Sequence, residues 1–128
     1  MLAKLTMVRV LDTTGVGWVQ TFHLYGGSHR RWAAVGGFMK GAVSHITFYP
    51  KVRRGKRHRP LYVGKIVRGL ITQARYVSRY HDGARCRFFF NAVVLLRRRG
   101  TLRSKLLHGP VSRNARRRAY EALFGGFV

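Results

Sequence analysis

Side chains that could perform acid–base, nucleophilic or metal chemistry are few in this sequence. The carboxylates are Asp12, Asp82 and Glu121. These are too few to favour a paired-carboxylate acid–base site or a metal site built from oxygen ligands. The single cysteine, Cys86, excludes an internal disulfide and a cysteine-cluster zinc site, and we interpret it as a small hydrophobic side chain. The six histidines lack the HxH and HExxH spacings of metal ligands. The sequence therefore predicts no enzymatic activity, no metal and no cofactor.

Positive charge is the chemistry that the sequence supplies in quantity. The 128 residues include 26 Lys and Arg against 3 Asp and Glu, which gives a formal net charge of +23. Twenty of these cations are arginine, whose planar guanidinium suits bidentate contacts with phosphate. A surface this basic repels itself, so we expect a polyanionic partner.

The first candidate binding segment is a glycine pair followed by four polar or charged residues. The glycines let the backbone approach a phosphate closely, and the next four side chains add hydrogen-bond donors. An ordinary glycine turn followed by solvated charges is the alternative interpretation. The candidate residues are Gly26, Gly27, Ser28, His29, Arg30 and Arg31.

The second candidate is a basic loop over residues 51–60, next to Pro50 and ending at Pro60. We interpret it as a projecting finger that reaches a nucleic-acid backbone, with a merely solvated charge run as the alternative. Its cations are Lys51, Arg53, Arg54, Lys56, Arg57 and Arg59.

An arginine-rich hairpin is the third candidate, placed within residues 68–90 with its turn at Asp82-Gly83. Arg75 and Arg79 alternate there with tyrosines, which either stack on unpaired bases or pair across the hairpin. Both interpretations stay open.

Two further arginine clusters lie near the C-terminus. Arg113 and Arg117 share a helix face with Glu121, and we expect both arginines to reach RNA even if Arg117 pairs with that carboxylate. The run Arg97 to Arg99 leaves a strand without turn chemistry to fix it, so we expect only diffuse attraction from it.

Apolar and polar residues alternate along most of the first three quarters of the chain, which predicts a mainly β protein. Trp18, Phe22 and Leu24 are predicted to share one face of a strand, opposite Thr21 and His23. The predicted strands are Thr6–Val10, Trp18–Tyr25, Phe38–Tyr49, Leu61–Leu70 and Phe88–Leu96, the last the most hydrophobic, with Leu106-Leu107 as a further short one.

In the C-terminal segment the spacing of the apolar residues changes from that of a strand to that of a helix. Ser112 or Asn114 can cap a helix, which predicts a helical tail over residues 112–124. Short strands with glycine-rich turns and one terminal helix favour a small closed barrel over a parallel sheet. We therefore predict one domain over residues 1–128, with no membrane-spanning segment and no secretory signal.

Several segments resemble the bacterial-type form of the universal large-subunit ribosomal protein fourteen family. LYGGSHRRWAAVGG from Leu24 to Gly37 is followed in the family's order by KVRRG from Lys51 to Gly55. NAVVLL from Asn91 to Leu96 and GPVSR from Gly109 to Arg113 come next, so the resemblance covers nearly the whole chain.

The resemblance implies a five-stranded closed β-barrel with a projecting hairpin and a short helical tail. It also implies binding to large-subunit rRNA at the subunit interface and a bridge to small-subunit rRNA. The partners it implies are ribosomal proteins of the third and nineteenth families and a ribosome silencing factor. Lys56 departs from an acidic position of the family, and Phe89-Phe90 replace its Asp-Gly.

The near absence of acidic residues favours a mitochondrial ribosome in the matrix, with a plastid or the bacterial cytoplasm as the alternative. A free-standing basic barrel, such as a nucleoid or ribosome-maturation factor, is the competing function. An RNA-modifying enzyme comes third, since the scarce carboxylates and cysteines weigh against it.

Overall fold

The structure, a computed structural model, describes residues 1–49, 61–115, 124 and 126–128. Most of the elements in these ranges are strands, and one short 3-10 helix, Arg113–Ala115, follows them. The strands are β1 (Leu2–Ala3), β2 (Met7–Val10), β3 (Val16–Leu24), β4 (Trp32–Ala33), β5 (Phe38–Ile46), β6 (Ile66–Gln73), β7 (Ser78–Arg79), β8 (Arg85–Cys86) and β9 (Ala92–Leu96).

Five of these strands form a closed barrel in the order β2-β3-β5-β6-β9, which confirms the predicted barrel. Neighbouring strands are antiparallel except where β2 meets β9 in parallel, with Arg9 opposite Ala92 and Val10 opposite Val93. This last pairing closes the barrel, so its five strands leave no unpaired edge.

Strand β9 separates two hydrophobic clusters and is buried along its whole length. Val93 and Leu95 pack in the barrel interior, whereas Val94 and Leu96 pack outside it under the C-terminal segment. A strand that is buried on both faces has a continuous apolar sequence, which is why the sequence of β9 predicted a core strand. The predicted start at Phe88 is wrong, since Phe89 precedes the strand and is 94% exposed.

The predicted faces of strand β3 are also wrong. Trp18 and Phe22 are exposed, whereas Leu24 is fully buried, because a register irregularity between Thr21 and His23 shifts the alternation. Thr21 is buried on the interior side, where its hydroxyl lies 3.0 Å from the carbonyl oxygen of Ala3.

The other predicted strands differ from the observed ones mainly at their ends. β5 stops at Ile46, and β6 begins at Ile66 and continues to Gln73, into the range predicted for the hairpin. The hairpin itself is the β7-β8 pair, and Cys86 lies in its return strand as expected. Leu107 forms only an isolated bridge with Asp12. The predicted helix beyond Ala115 falls on residues 116–123, outside the described residues.

A pairing of β1 with β4 was not predicted from the sequence, and it adds a short ladder beside the barrel. Within the described ranges, no helix has the length and apolar character that crossing a membrane requires.

Asp12 joins the end of β2 to β9. Its side chain is 5% exposed, and one carboxylate oxygen accepts the Leu95 N–H at 2.8 Å. The other oxygen accepts the backbone N–H and the hydroxyl of Thr14. Burial raises the pKa of Asp12, while the hydrogen bonds from Thr14 and Leu95 and the charge of Arg103 act in the opposite direction.

We predict that Asp12→Asn lowers the free energy of unfolding by roughly 1–3 kcal/mol, because an amide presents one acceptor where the carboxylate presents two. Either the Leu95 N–H or the Thr14 N–H then faces an NH₂ group. Denaturant unfolding at high salt, which screens the self-repulsion, measures the loss.

Asp82→Asn is the matched control, because among the described residues this exposed carboxylate accepts only the Ala84 N–H and a 3.4 Å contact from Arg113. We expect a change within about 0.5 kcal/mol for it. Equal losses in the two variants would contradict a special role for Asp12.

Candidate nucleic-acid interface

The structure brings all six residues of the first candidate segment, Gly26 to Arg31, together in one exposed turn. The turn connects the end of β3 to β4, so the barrel fixes it on one side and the β1-β4 ladder on the other. Gly26 has a φ of 110° and Gly27 a φ of 136°, which L side chains rarely adopt. The glycine pair is therefore needed for the path of the backbone itself.

The two glycines differ in what surrounds them. A Cβ atom at Gly26 would overlap the guanidinium of Arg30, whose Nε donates to the carbonyl oxygen of Trp32 at 2.9 Å. A Cβ atom at Gly27 would meet no atom of the described residues within 4 Å. The space beside Gly27 is thus open to a partner, while Arg30 is held across the turn.

Arg75 and Arg79 lie on the hairpin side of the molecule and are exposed. Arg79 pairs with Arg85 across the β7-β8 ladder, so like charges stand side by side there. The Asp82-Gly83 turn is confirmed: Gly83 has a φ of 82°, and Asp82 accepts the Ala84 N–H at 3.1 Å.

The two hairpin tyrosines have different environments. The hydroxyl of Tyr80 donates to the carbonyl oxygen of Val128 at 2.5 Å and lies 3.1 Å from the Ser112 hydroxyl. Burial raises its pKa. Tyr76 is 58% exposed. Tyr80 therefore anchors the C-terminal end of the chain, and of these two tyrosines Tyr76 is the one whose exposure suits stacking on a base.

Arg113 has a partner that the sequence pattern did not indicate. Its guanidinium lies 3.4 Å from the Asp82 carboxylate and 5.5 Å from the centre of the Tyr80 ring. The ion pair is exposed and weak, so it leaves Arg113 able to contact an anion.

The expectation that Arg97 to Arg99 lack turn chemistry is wrong. The Gly100 N–H donates to the Arg97 carbonyl at 2.9 Å, and the Arg97 N–H donates to the Thr101 carbonyl at 2.8 Å. Gly100 has a φ of 83°, as the residue after a tight hairpin turn often does. Arg98 and Arg99 are therefore held in a defined turn.

Sequence reasoning missed a group of cations that come from distant parts of the chain. Lys40, Arg68, Arg98 and Arg103 line a cleft of about 390 Å³ together with Tyr25. No contiguous motif marks them. The signal that could have found them is the barrel register, which places Lys40 opposite Arg68 and Arg68 opposite Leu96.

The remaining predicted contact residues fall where the structure gives no description. The basic-loop cations Lys51, Arg53, Arg54, Lys56, Arg57 and Arg59 lie outside the described residues, as do Arg117 and Glu121. In the described part of the chain, no three His, Cys, Asp or Glu side chains converge as metal ligands.

Comparison with known proteins places the chain among ribosomal proteins. The family described as ribosomal protein L14p/L23e matches residues 1–124. A protein of Tetrahymena pyriformis named large ribosomal subunit protein uL14m is 34% identical over 131 aligned positions, which cover all of both chains.

We predict that Tyr80→Phe lowers the stability of the free protein by about 1 kcal/mol, because it removes the hydroxyl bonds to Val128 and Ser112. Tyr76→Phe is the matched control, since the exposed Tyr76 makes no such bond among the described residues, and its unfolding midpoint should stay at the wild-type value. Thermal unfolding of both variants in the same high-salt buffer measures the difference. A Tyr80→Phe midpoint equal to that of wild type would show that the C-terminal anchor contributes nothing.

Proposed function

The chain belongs to the ribosomal protein L14p/L23e family, and from this premise we propose that it is a structural constituent of the large ribosomal subunit that binds large-subunit rRNA near the subunit interface. The observation that carries the rRNA contact is the exposed Gly26–Arg31 turn, with open space beside Gly27. The net charge of +23 supplies the attraction to a polyanion.

The proposed mechanism is positioning rather than catalysis. At the turn, the missing Cβ of Gly27 lets a phosphate come close to the backbone, and exposed Arg31 supplies a charged donor beside it. Such contacts fix register and orientation without reading bases. Because the turn is tied to a closed barrel, it holds the bound RNA at one geometry relative to the hairpin and the other basic segments.

The finer partners follow from the family resemblance and are proposals. They are small-subunit rRNA across an intersubunit bridge, the neighbouring proteins of the third and nineteenth families, and a ribosome silencing factor. The hairpin cations Arg75 and Arg79 and the C-terminal Arg113 are exposed and would add RNA contacts. The basic loop over residues 51–60 would add more.

We further propose that the particle is the mitochondrial ribosome of the matrix. The name uL14m of the Tetrahymena pyriformis relative is consistent with a mitochondrial member. The count of 3 acidic residues in 128 agrees with a ribosome that has diverged from the bacterial type.

The decisive experiment separates this function from that of a free-standing basic barrel. A tagged chain is followed through sucrose gradients of lysed mitochondria, first at low salt and then after a high-salt wash. We expect the tag to remain with the large subunit after the wash, because an integral protein makes many phosphate contacts at once. Release of the whole tagged pool into the light fractions by the wash would favour the transient binder.

We predict that Gly27→Ala reduces incorporation into large subunits at least threefold, because a methyl group would enter the open space that a phosphate needs. Gly64→Ala is the matched control, because Gly64 is exposed, has a φ of 87°, and a new Cβ there would likewise meet no atom of the described part of the chain within 4 Å. Both variants carry backbone strain, so thermal unfolding of the free proteins is measured alongside.

Quantitative mass spectrometry of gradient-purified subunits reports incorporation of each variant against a wild-type copy. If Gly27→Ala and Gly64→Ala incorporate equally well at matched stability, close approach at Gly27 does not contribute to binding.

A further inference from the structure

A cleft of about 390 Å³ is lined by residues of β5, β6 and β9, together with Tyr25 directly after β3 and two arginines that follow β9. Apolar side chains of β6 and β9 form part of its wall. Among the described residues, no carboxylate lines it. The residues that matter for its chemistry are Tyr25, Lys40, Arg68, Leu96, Arg98 and Arg103.

The barrel register forces these cations together. Lys40 of β5 stands directly opposite Arg68 of β6, and like charges in directly opposite positions are destabilising. The turn after β9 brings Arg98 back over the same cleft. Arg103 follows in the returning segment, fixed by its N–H bond to the Leu95 carbonyl at 2.9 Å.

Arg68 is the central cation of the cleft. Its guanidinium lies 4.8 Å from the centre of the Tyr25 ring and 5.7 Å from that of Phe38. Its Nε atom is buried without a hydrogen-bond partner among the described residues. A buried donor of this kind is costly unless a ligand or water satisfies it.

Other cations of the cleft also lie near further positive charges, Lys40 opposite Arg68 and Arg103 near Arg97. The Lys40 ammonium lies 5.7 Å from the Tyr25 ring centre, so both it and the Arg68 guanidinium contact the same aromatic ring. Burial lowers the pKa of Arg103 and the neighbouring charge of Arg97 lowers it further, while the charge of Asp12 acts in the opposite direction. An anion in the cleft would relieve this repulsion.

We propose that the cleft binds a phosphodiester group of an RNA strand, at a site separate from the Gly26–Arg31 turn. The proposal rests on the proposed function for the source of the RNA. Three guanidiniums match the geometry of phosphate oxygens. Because two cations already lie over the Tyr25 ring, recognition is by charge rather than by base stacking, and the site is independent of base sequence. Tyr25 directly precedes Gly26, so one strand can contact both sites.

The test compares two double variants with the same loss of charge. Arg98→Gln with Arg103→Gln removes two cations of the cleft, whereas Arg97→Gln with Arg99→Gln removes two neighbours that do not line it. The probe is a fluorescein-labelled single-stranded RNA of about ten nucleotides, bound to the full-length chain at several salt concentrations.

We expect the cleft variant to lose at least about tenfold more affinity than the control variant, as ordered charge-assisted contacts exceed screened ones by that margin. The slope of log K against log salt concentration should become shallower by about 0.7 more than in the control variant, because one phosphate contact is lost. Equal losses in the two variants would overturn the proposal, because total charge would then account for binding.

Two further measurements keep the result interpretable. Arg98→Gln against Arg99→Gln repeats the comparison at adjacent exposed residues of one turn, in case the partly buried Arg103 is needed for folding. A labelled polyglutamate peptide of equal length replaces RNA as a probe. Selective loss of polyglutamate binding, with RNA binding unchanged, would assign the cleft to an acidic protein and overturn the proposal.

Failure of this inference is distinguishable from failure of the proposed function. If the wild-type chain stays with the large subunit after the salt wash while the two double variants bind RNA equally, only the cleft proposal fails. If the chain leaves the subunit but the cleft variant still loses RNA affinity selectively, only the ribosomal assignment fails.

Discussion

The parallel pairing of β2 with β9 is the contact on which the rest of the molecule depends. It closes the barrel, and it draws together segments more than eighty positions apart, as the Leu95 N–H bond to Asp12 shows. The closed barrel then fixes where the turn after β3, the β7-β8 hairpin and the turn after β9 project. A chain with a net charge of +23 repels itself, so this arrangement must be held by buried apolar contacts and backbone hydrogen bonds.

The two carboxylates in the described ranges, Asp12 and Asp82, both hold the backbone in place through hydrogen bonds. Asp12 accepts hydrogen bonds from two parts of the backbone and fastens the closing strands. Asp82 shapes the hairpin turn through the Ala84 N–H, and its ion pair with Arg113 is exposed. Neither carboxylate lies in the cationic cleft. The positive surface is therefore left available to an external anion, which is the physical basis of the rRNA-binding proposal.

The sequence predicted the features that local chemistry determines and missed those that depend on register. The Asp82-Gly83 turn and the apolar strand β9 follow from residue type alone. The faces of β3 could not be predicted, because one irregularity near Thr21 moves Leu24 into the core. The candidate turn at Gly26 was found because its residues are contiguous. The cleft was missed because its cations span positions 40 to 103 and meet only through strand pairing.

The two candidate RNA contacts, the Gly26–Arg31 turn and the cleft, differ in the physical property on which binding would depend. The turn depends on the shape of the backbone, since Gly27 opens space that any side chain would occupy. The proposed cleft site depends on charge, since a bound phosphate would give Arg68 and its neighbours a counterion. Tyr25 belongs to the cleft and Gly26 to the turn, so both are fixed at the same end of β3. A flexible polycation attracts RNA in many orientations, whereas a rigid barrel with two adjacent sites allows one. That restriction is what a structural constituent of a large RNA assembly requires.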